Sequence, residues 1–106
     1  MELWQEWRFA VRAGDRLLYG VFDRVVVVRD AEGRALQADL LDFKSDDVPP
    51  EGVAARAAVY EPQLRAYREA LEASLGLPAS KIRARLVFLR PGLPWYLTMD
   101  ALAPTT

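Results

Sequence analysis

The chain has 106 residues, a formal net charge of −1, and neither cysteine nor histidine. This composition excludes disulfides, zinc fingers and catalysis by a cysteine or histidine side chain, and it lacks the basic excess of a stand-alone DNA-binding domain. The length suits one domain with its own core, so we expect residues 1–106 to form a single domain. The first residues are acidic, and no apolar run reaches the roughly 20 residues of a membrane span, so we expect a cytoplasmic protein.

The first half of the chain predicts three strands joined by short turns. Residues 6–13 alternate between apolar and polar side chains, and residues 17–29 are rich in β-branched valine, both of which are typical of strands. A third strand is predicted over residues 35–44. Gly14 and Gly33 mark the turns, because glycine readily adopts a positive φ. Three consecutive strands with short turns predict an antiparallel meander.

The second half predicts a helix and two further strands. Residues 45–52 are polar and proline-rich, which indicates a loop, and residues 54–75 have helical spacing, with Pro62 either in the first turn or at a kink. Strands are predicted at 82–89 and 95–99. The order predicts an α+β fold, in which a helix crosses over between the third and fourth of about five strands of a mixed sheet. The apolar and aromatic helix positions are Tyr60, Leu64, Tyr67, Leu71 and Leu75.

Two acidic residues occupy strand positions where an acid is unusual. Asp23 interrupts the valine-rich stretch, and a strict period of two would place it on the same face as Val21, Val25 and Val27. Asp42 and Lys44 end the third strand and share a face for the same reason. A carboxylate on a buried face is costly unless another group compensates its charge. Two such acids beside one lysine predict a divalent-metal site with a catalytic base.

Each of these residues also allows a purely structural interpretation. Asp23 could form an ion pair with an arginine, and Asp42 and Lys44 could be a solvated charge pair at a strand end. Gln63 and Tyr67 are four residues apart and therefore share a helix face, which could simply pack on the sheet. Packing or solvation is also the simplest interpretation of five further residues: Trp4, Trp7, Trp95, Asp46 and Asp47.

Taken in order, these residues resemble a known nuclease family. The chain is similar to the PD-(D/E)xK nuclease superfamily, in particular to the RecB/AddA-type nuclease domain of helicase–nucleases. The resemblance covers about residues 6–97 and implies a restriction-endonuclease-like core, here about residues 6–99, that lacks the usual N-terminal helices. The matching segments are Gly20-Val21-Phe22-Asp23, Asp42-Phe43-Lys44-Ser45, Tyr60-x-x-Gln63-Leu64-x-x-Tyr67 and Leu86-Val87-Phe88-Leu89-x-x-Gly92.

The resemblance implies a role for each residue of the two strand motifs. Asp23 and Asp42 would supply carboxylate ligands for Mg²⁺ or Mn²⁺, with the backbone carbonyl of Phe43 as a third oxygen. Lys44 would orient or deprotonate the attacking water and stabilise the charge that develops on the phosphate.

The same resemblance implies a function and its partners. Gln63 and Tyr67 would position DNA or the metal-bound water. The activity would be that of a Mg²⁺- or Mn²⁺-dependent deoxyribonuclease in DNA repair or recombination, with a helicase domain or subunit as partner. Domains of this type usually carry a further histidine or acidic ligand before the first strand. This chain has no histidine, and Glu6 is the acid that could substitute for it.

Three classes of function remain open at this point. The first is the metal-dependent nuclease, and the second is a catalytically inactive nuclease-fold module that binds DNA or a protein. The third is an unrelated small α+β ligand-binding or scaffold domain. Apolar surface left uncovered by the missing helices could also support self-association.

Overall fold

The structure is a computed structural model that describes residues 1–89, together with the backbone of residues 93–96. The valine-rich and alternating segments form strands, and the segment with helical spacing forms one long helix. Two single-turn 3₁₀ helices, Pro50–Gly52 and Ala79–Lys81, flank that helix. The main elements are β1 (Glu2–Ala13), β2 (Arg16–Arg29), β3 (Ala35–Lys44), α1 (Val53–Leu75), β4 (Ile82–Phe88) and β5 (Leu93–Tyr96).

The strands form a mixed sheet in the order β1-β2-β3-β4-β5. β1, β2 and β3 are antiparallel neighbours, and β3 and β4 run parallel because α1 connects them as a crossover. The predicted meander and crossover helix are therefore confirmed. β1 begins earlier than predicted because Glu2 already pairs with Val27. The last strand was predicted at 95–99 but lies at 93–96, where it pairs antiparallel with β4; residues 97–99 lie outside the described residues.

The helix packs on one face of the sheet and forms the core with it. Leu64 and Leu71 are fully buried, as the helical spacing predicted. Pro62 lies inside the helix, so of the two predicted alternatives its placement in the first turn is wrong. The reason is that Val53 and Ala57, upstream of Pro62, extend the buried stripe and keep the earlier turns on the sheet. No helix of the described residues is long and apolar enough to cross a membrane.

The inward-facing side of β2 changes at Asp23. Of the valines predicted to share a face with Asp23, Val25 and Val27 are fully buried, but Val21 is 42% exposed and its neighbour Phe22 is fully buried, so strict alternation through Asp23 is wrong. Glu6, which lies between the paired residues Gln5 and Trp7 of β1, has a left-handed φ of 48°. Such a φ is rare outside glycine, and the ladder between β1 and β2 is interrupted there. At this irregularity the alternation of β2 shifts by one residue, so that Phe22 and Val25 are both buried although they are three residues apart.

Candidate active site

The end of β3 carries a buried carboxylate paired with a lysine. Asp42 faces α1 and is 8% exposed. The Nζ atom of Lys44 lies 3.3 Å from Asp42 Oδ2, and the lysine side chain is 17% exposed. The alternative of a solvated charge pair at a strand end is therefore wrong, because both side chains are mostly covered and the Tyr60 ring lies against Lys44.

A second carboxylate adjoins the first. Asp23 comes from β2, which is antiparallel to β3, and Asp23 and Asp42 are the next residues along the two strands beyond the paired Arg24 and Leu41. Its Oδ2 accepts a hydrogen bond from the backbone N–H of Phe43 at 2.9 Å. Burial, and then a hydrogen bond with Asp23, raise the pKa of Asp42 to about 6, and the positive charge of Lys44 opposes the shift only in part.

The surroundings of Asp23 test the other structural interpretation, in which Asp23 forms an ion pair with an arginine. Among the described residues, Asp23 has no arginine or lysine nitrogen within ion-pair distance. Its partners are a backbone N–H and a second carboxyl group. The ion pair with an arginine is therefore absent from this part of the chain. Two acids with one lysine between them leave an excess of negative charge in a half-buried place.

The ring of Tyr60 covers Lys44, and its hydroxyl belongs to a second polar group formed with Asp46 and Arg56. The Nζ atom of Lys44 lies 4.2 Å from the centroid of the Tyr60 ring, a cation–π distance. The Tyr60 hydroxyl donates to Asp46 at 2.8 Å, and this contact raises the pKa of Tyr60. Arg56 Nη1 lies 3.3 Å from the same carboxylate. Interpreting Asp46 as a solvated loop acid is therefore wrong, whereas Asp47 is exposed as expected.

Gln63 and Tyr67 stand apart from the carboxylates. Gln63 is exposed, and the Tyr67 ring packs edge-on against Phe9 and Phe22. A Cβ atom at Gly20 would lie 2.6 Å from the Tyr67 hydroxyl, so glycine is required there for the ring to approach β2. Within the described chain, neither helix residue hydrogen-bonds to an acid of the site. Their proposed roles towards DNA stay predictions.

An open cavity lies beside Asp23. It has a volume of about 440 Å³, and sequence reasoning missed it. The adjacency of Arg24 to Asp23 was the one available signal. In residues 1–89, no three His, Cys, Asp or Glu side chains group closely enough to hold a metal ion, so Glu6 does not complete such a cluster. The cavity is lined by Gln5, Glu6, Asp23, Arg24 and Phe43.

Of the tryptophans, only the first two can be described. Trp4 is partly buried against the core and stacks on Trp7 with ring centroids 5.2 Å apart. Trp7 itself is 51% exposed. The packing interpretation therefore holds for Trp4 and only in part for Trp7, and the side chain of Trp95 lies outside the described residues.

The arrangement brings together four of the residues expected from the sequence. In a meander followed by a crossover helix, the end of the central strand β3 carries Asp42, the backbone amide of Phe43 and Lys44, and the neighbouring strand β2 adds Asp23. The family model of the PD-(D/E)XK nuclease superfamily matches residues 1–95, and the chain belongs to this superfamily. A comparison with curated proteins finds no match. Membership indicates a nuclease that acts on nucleic acid, and members typically use divalent metals.

Proposed function

We propose that this chain is a Mg²⁺- or Mn²⁺-dependent deoxyribonuclease of the RecB/AddA type that acts in DNA repair or recombination. We further propose that residues 1–106 form one nuclease domain that works in the cytoplasm with a helicase domain or subunit. The single observation that supports the activity most strongly is the buried Asp42 beside Asp23 and Lys44. A structural ion pair needs one acid and one base, and the second acid, Asp23, adds negative charge without a cation of its own among the described residues.

The donor set fits a hard divalent cation. Mg²⁺ and Mn²⁺ prefer oxygen ligands, and Mg²⁺ usually binds through one or two carboxylates and retains several waters. Asp23 and Asp42 offer such carboxylates close together, and burial, followed by the hydrogen bond with Asp23, raises the pKa of Asp42. We assign the metal ligands to Asp23, Asp42 and the backbone carbonyl of Phe43. When bound, the metal would polarise the phosphate and acidify a water molecule.

We assign the other steps of catalysis and substrate binding to Lys44 and to residues of the helix. Lys44 places an ammonium group at the mouth of the site, where it can orient the attacking water or neutralise charge that develops on the phosphate. The Tyr60 ring limits the positions that this ammonium can adopt, and Asp46 fixes the Tyr60 hydroxyl. Gln63 and Tyr67 on the helix are proposed to position DNA.

A specific observation favours a second candidate function. Among the described residues, no third His, Cys, Asp or Glu side chain joins Asp23 and Asp42 in a group that could hold a metal ion. A module with a weakened metal site could bind DNA or a protein partner without cleaving DNA. This second candidate predicts the same fold and the same DNA affinity, but no metal-dependent hydrolysis.

A cleavage assay separates the two candidates. The purified chain is incubated with end-labelled single-stranded and double-stranded DNA in Mg²⁺, in Mn²⁺ and in EDTA. We expect hydrolysis in Mn²⁺ and Mg²⁺ and none in EDTA. Asp42→Asn should abolish it, whereas Asp39→Asn, a matched change on the opposite face of the same strand, should retain it.

Two outcomes would count against the nuclease. Cleavage that persists in EDTA, or that Asp42→Asn leaves unchanged, would indicate a contaminating enzyme or a different site. A folded wild-type chain that binds DNA but leaves it intact in both metals would favour the binding module.

A further inference from the structure

Arg24 lies on the side of the sheet that faces away from the helix. Val25 is fully buried beneath α1, so its neighbour Arg24 projects from the opposite face. Arg24 pairs with Leu41 in the register, and Phe43 follows two residues later on the same face as Leu41. The outward face at this end of the sheet therefore combines Arg24 and Phe43, while Asp42 faces the helix.

The Arg24 guanidinium is held in place without a counter-ion. Its Cζ lies 5.5 Å from the centroid of the Phe43 ring, which fixes the orientation of the planar group. Its Nε is buried and has no hydrogen-bond partner among the described residues. No carboxylate of the described chain lies within ion-pair distance of it. A guanidinium is always charged and offers five N–H donors, so unfilled donor capacity in a half-buried place is costly.

The cavity beside Arg24 connects it to the candidate active site. Asp23 lines this cavity with Arg24 and Phe43, and the same Asp23 accepts from the Phe43 N–H and hydrogen-bonds with Asp42. A group that occupied the cavity would touch both the arginine and the edge of the acidic pair. The volume of about 440 Å³ has room for a phosphate and part of its sugar.

We propose that Arg24 is a substrate-positioning residue, whose guanidinium binds a backbone phosphate of the DNA strand in the cavity next to Asp23. The planar fork of a guanidinium matches two phosphate oxygens, and stacking on Phe43 presents it in one orientation. Glu6 and Asp23 also line the cavity and would repel a phosphate, so a divalent cation at the acids should strengthen this contact. The inference rests on the proposed function in one respect, namely that the phosphate is that of the DNA substrate.

The test measures DNA binding separately from cleavage. Binding of a short fluorescein-labelled oligonucleotide, single-stranded or duplex, is followed by fluorescence anisotropy in Ca²⁺ over a series of salt concentrations, with a gel to verify that the DNA is intact. We expect Arg24→Gln to weaken duplex binding roughly tenfold. Loss of one phosphate contact should reduce the slope of log K against log salt by about 0.9. The weakening should be smaller in EDTA than in Ca²⁺.

Two further variants control for charge and for folding. Arg34→Gln removes the same charge at the β2–β3 turn, where Arg34 is exposed and pairs with Asp30, and it should leave affinity and slope unchanged. Arg24→Lys keeps the charge but loses the fork, so it should keep the slope and show an intermediate affinity. If circular dichroism shows that Arg24→Gln does not fold, the DNA affinity of Arg24→Lys is compared with that of the wild type instead.

The proposal fails if Arg24→Gln binds with the wild-type affinity and slope, if Arg34→Gln weakens binding equally, or if the wild type does not bind DNA. Where Arg24→Gln does not fold, an Arg24→Lys protein with wild-type affinity overturns it as well. Cleavage in Mn²⁺ is scored on its own. A wild type that binds through Arg24 but never cleaves would contradict the nuclease and leave the Arg24 contact standing. A nuclease whose binding and rate do not change in Arg24→Gln would overturn the Arg24 contact alone.

Discussion

Two aspartates on the same strand, Asp39 and Asp42, have opposite electrostatic surroundings. Asp39 lies on the outward face of β3 and meets two cations, with Arg85 Nη2 at 3.1 Å and Arg83 Nε at 3.5 Å. Asp42 lies on the helix side and meets one cation, Lys44 at 3.3 Å, together with a second acid. Asp39 therefore has two positive neighbours, whereas Asp42 has one positive neighbour and one acidic neighbour.

The difference separates a structural ion pair from a site that needs something more. At Asp39, two arginines compensate the charge of the carboxylate. At Asp42, the burial and the neighbouring Asp23 favour a proton on the carboxyl group, which is why its pKa rises to about 6. A divalent cation would replace that proton. Variants of these residues test whether the contrast between the two aspartates reflects a catalytic metal site at Asp42.

The largest effect is expected from the cation beside Asp42. Lys44→Ala should lower the rate of cleavage in Mn²⁺ by roughly 10²–10³-fold, because removing one group that stabilises transition-state charge costs about 3–4 kcal/mol. Lys81→Ala, which alters the other lysine of the chain, is the matched control and should cleave like the wild type. Initial rates on labelled DNA measure the effect. A Lys44→Ala protein as active as the wild type would remove Lys44 from the mechanism, whatever the fold.

A smaller effect is expected on stability without metal. Because the folded-state pKa of Asp42 is raised above the unfolded value, the folded chain binds more protons between about pH 4 and 6, and stability falls as the pH rises through this window. At pH 8 the charged Asp42 should cost on the order of 2–3 kcal/mol. Asp42→Asn should therefore stabilise the protein in EDTA by about this amount at pH 8 and by about nothing at pH 4.

Asp39→Asn sharpens the stability comparison. It removes a carboxylate from partly exposed ion pairs, so it should destabilise the protein by about 1 kcal/mol at pH 8. Urea denaturation of both variants and of the wild type at pH 4 and pH 8 measures the free energy of unfolding. If the two substitutions shift stability in the same direction at pH 8, the two aspartates do not differ as their surroundings indicate.

The response to metal should be about 1–2 kcal/mol. Mg²⁺ or Mn²⁺ at ten times its dissociation constant stabilises a protein by about 1.4 kcal/mol when it binds only the folded state. A thermal melt should therefore shift upward with metal for the wild type and for Asp39→Asn, but not for Asp42→Asn. An equal upward shift in all three proteins would indicate that the cation binds somewhere other than the Asp23 and Asp42 carboxylates.

The sequence was sufficient for those parts of the site that depend on local geometry. Asp42 and Lys44 are two residues apart on a strand, so period-two alternation alone brings them together. The helix stripe followed from spacing in the same way. The pairing of Asp23 with Asp42 followed from the short turn at Gly33, since that turn makes β2 and β3 antiparallel neighbours.

Features that depend on distant residues were not predictable. The face switch at Asp23 coincides with the left-handed Glu6 on another strand, which no pattern within β2 reveals. Asp46 belongs to a loop by composition, but Tyr60 and Arg56 on the helix hold it against the site. The contact of Arg24 with Phe43 likewise joins two strands. Periodicity in the sequence describes a single helix or strand. Each of these contacts joins two separate segments, so periodicity does not predict it.

The smallest effect is expected from the exposed helix residue. Gln63 lies three residues after Tyr60, so it is on the helix face that continues from the ring covering Lys44. It contributes little to packing, and Gln63→Ala should change the free energy of unfolding by less than about 0.5 kcal/mol. If its amide positions DNA, cleavage should fall by less than about tenfold, or roughly 1 kcal/mol. Initial rates beside urea melts measure both quantities, with the exposed, likewise helical Val59→Ala as control. A Gln63→Ala protein that cleaves like the wild type would confine the catalytic group to the strand residues Asp23, Asp42 and Lys44, because Tyr67 is already engaged in packing against Phe9 and Phe22.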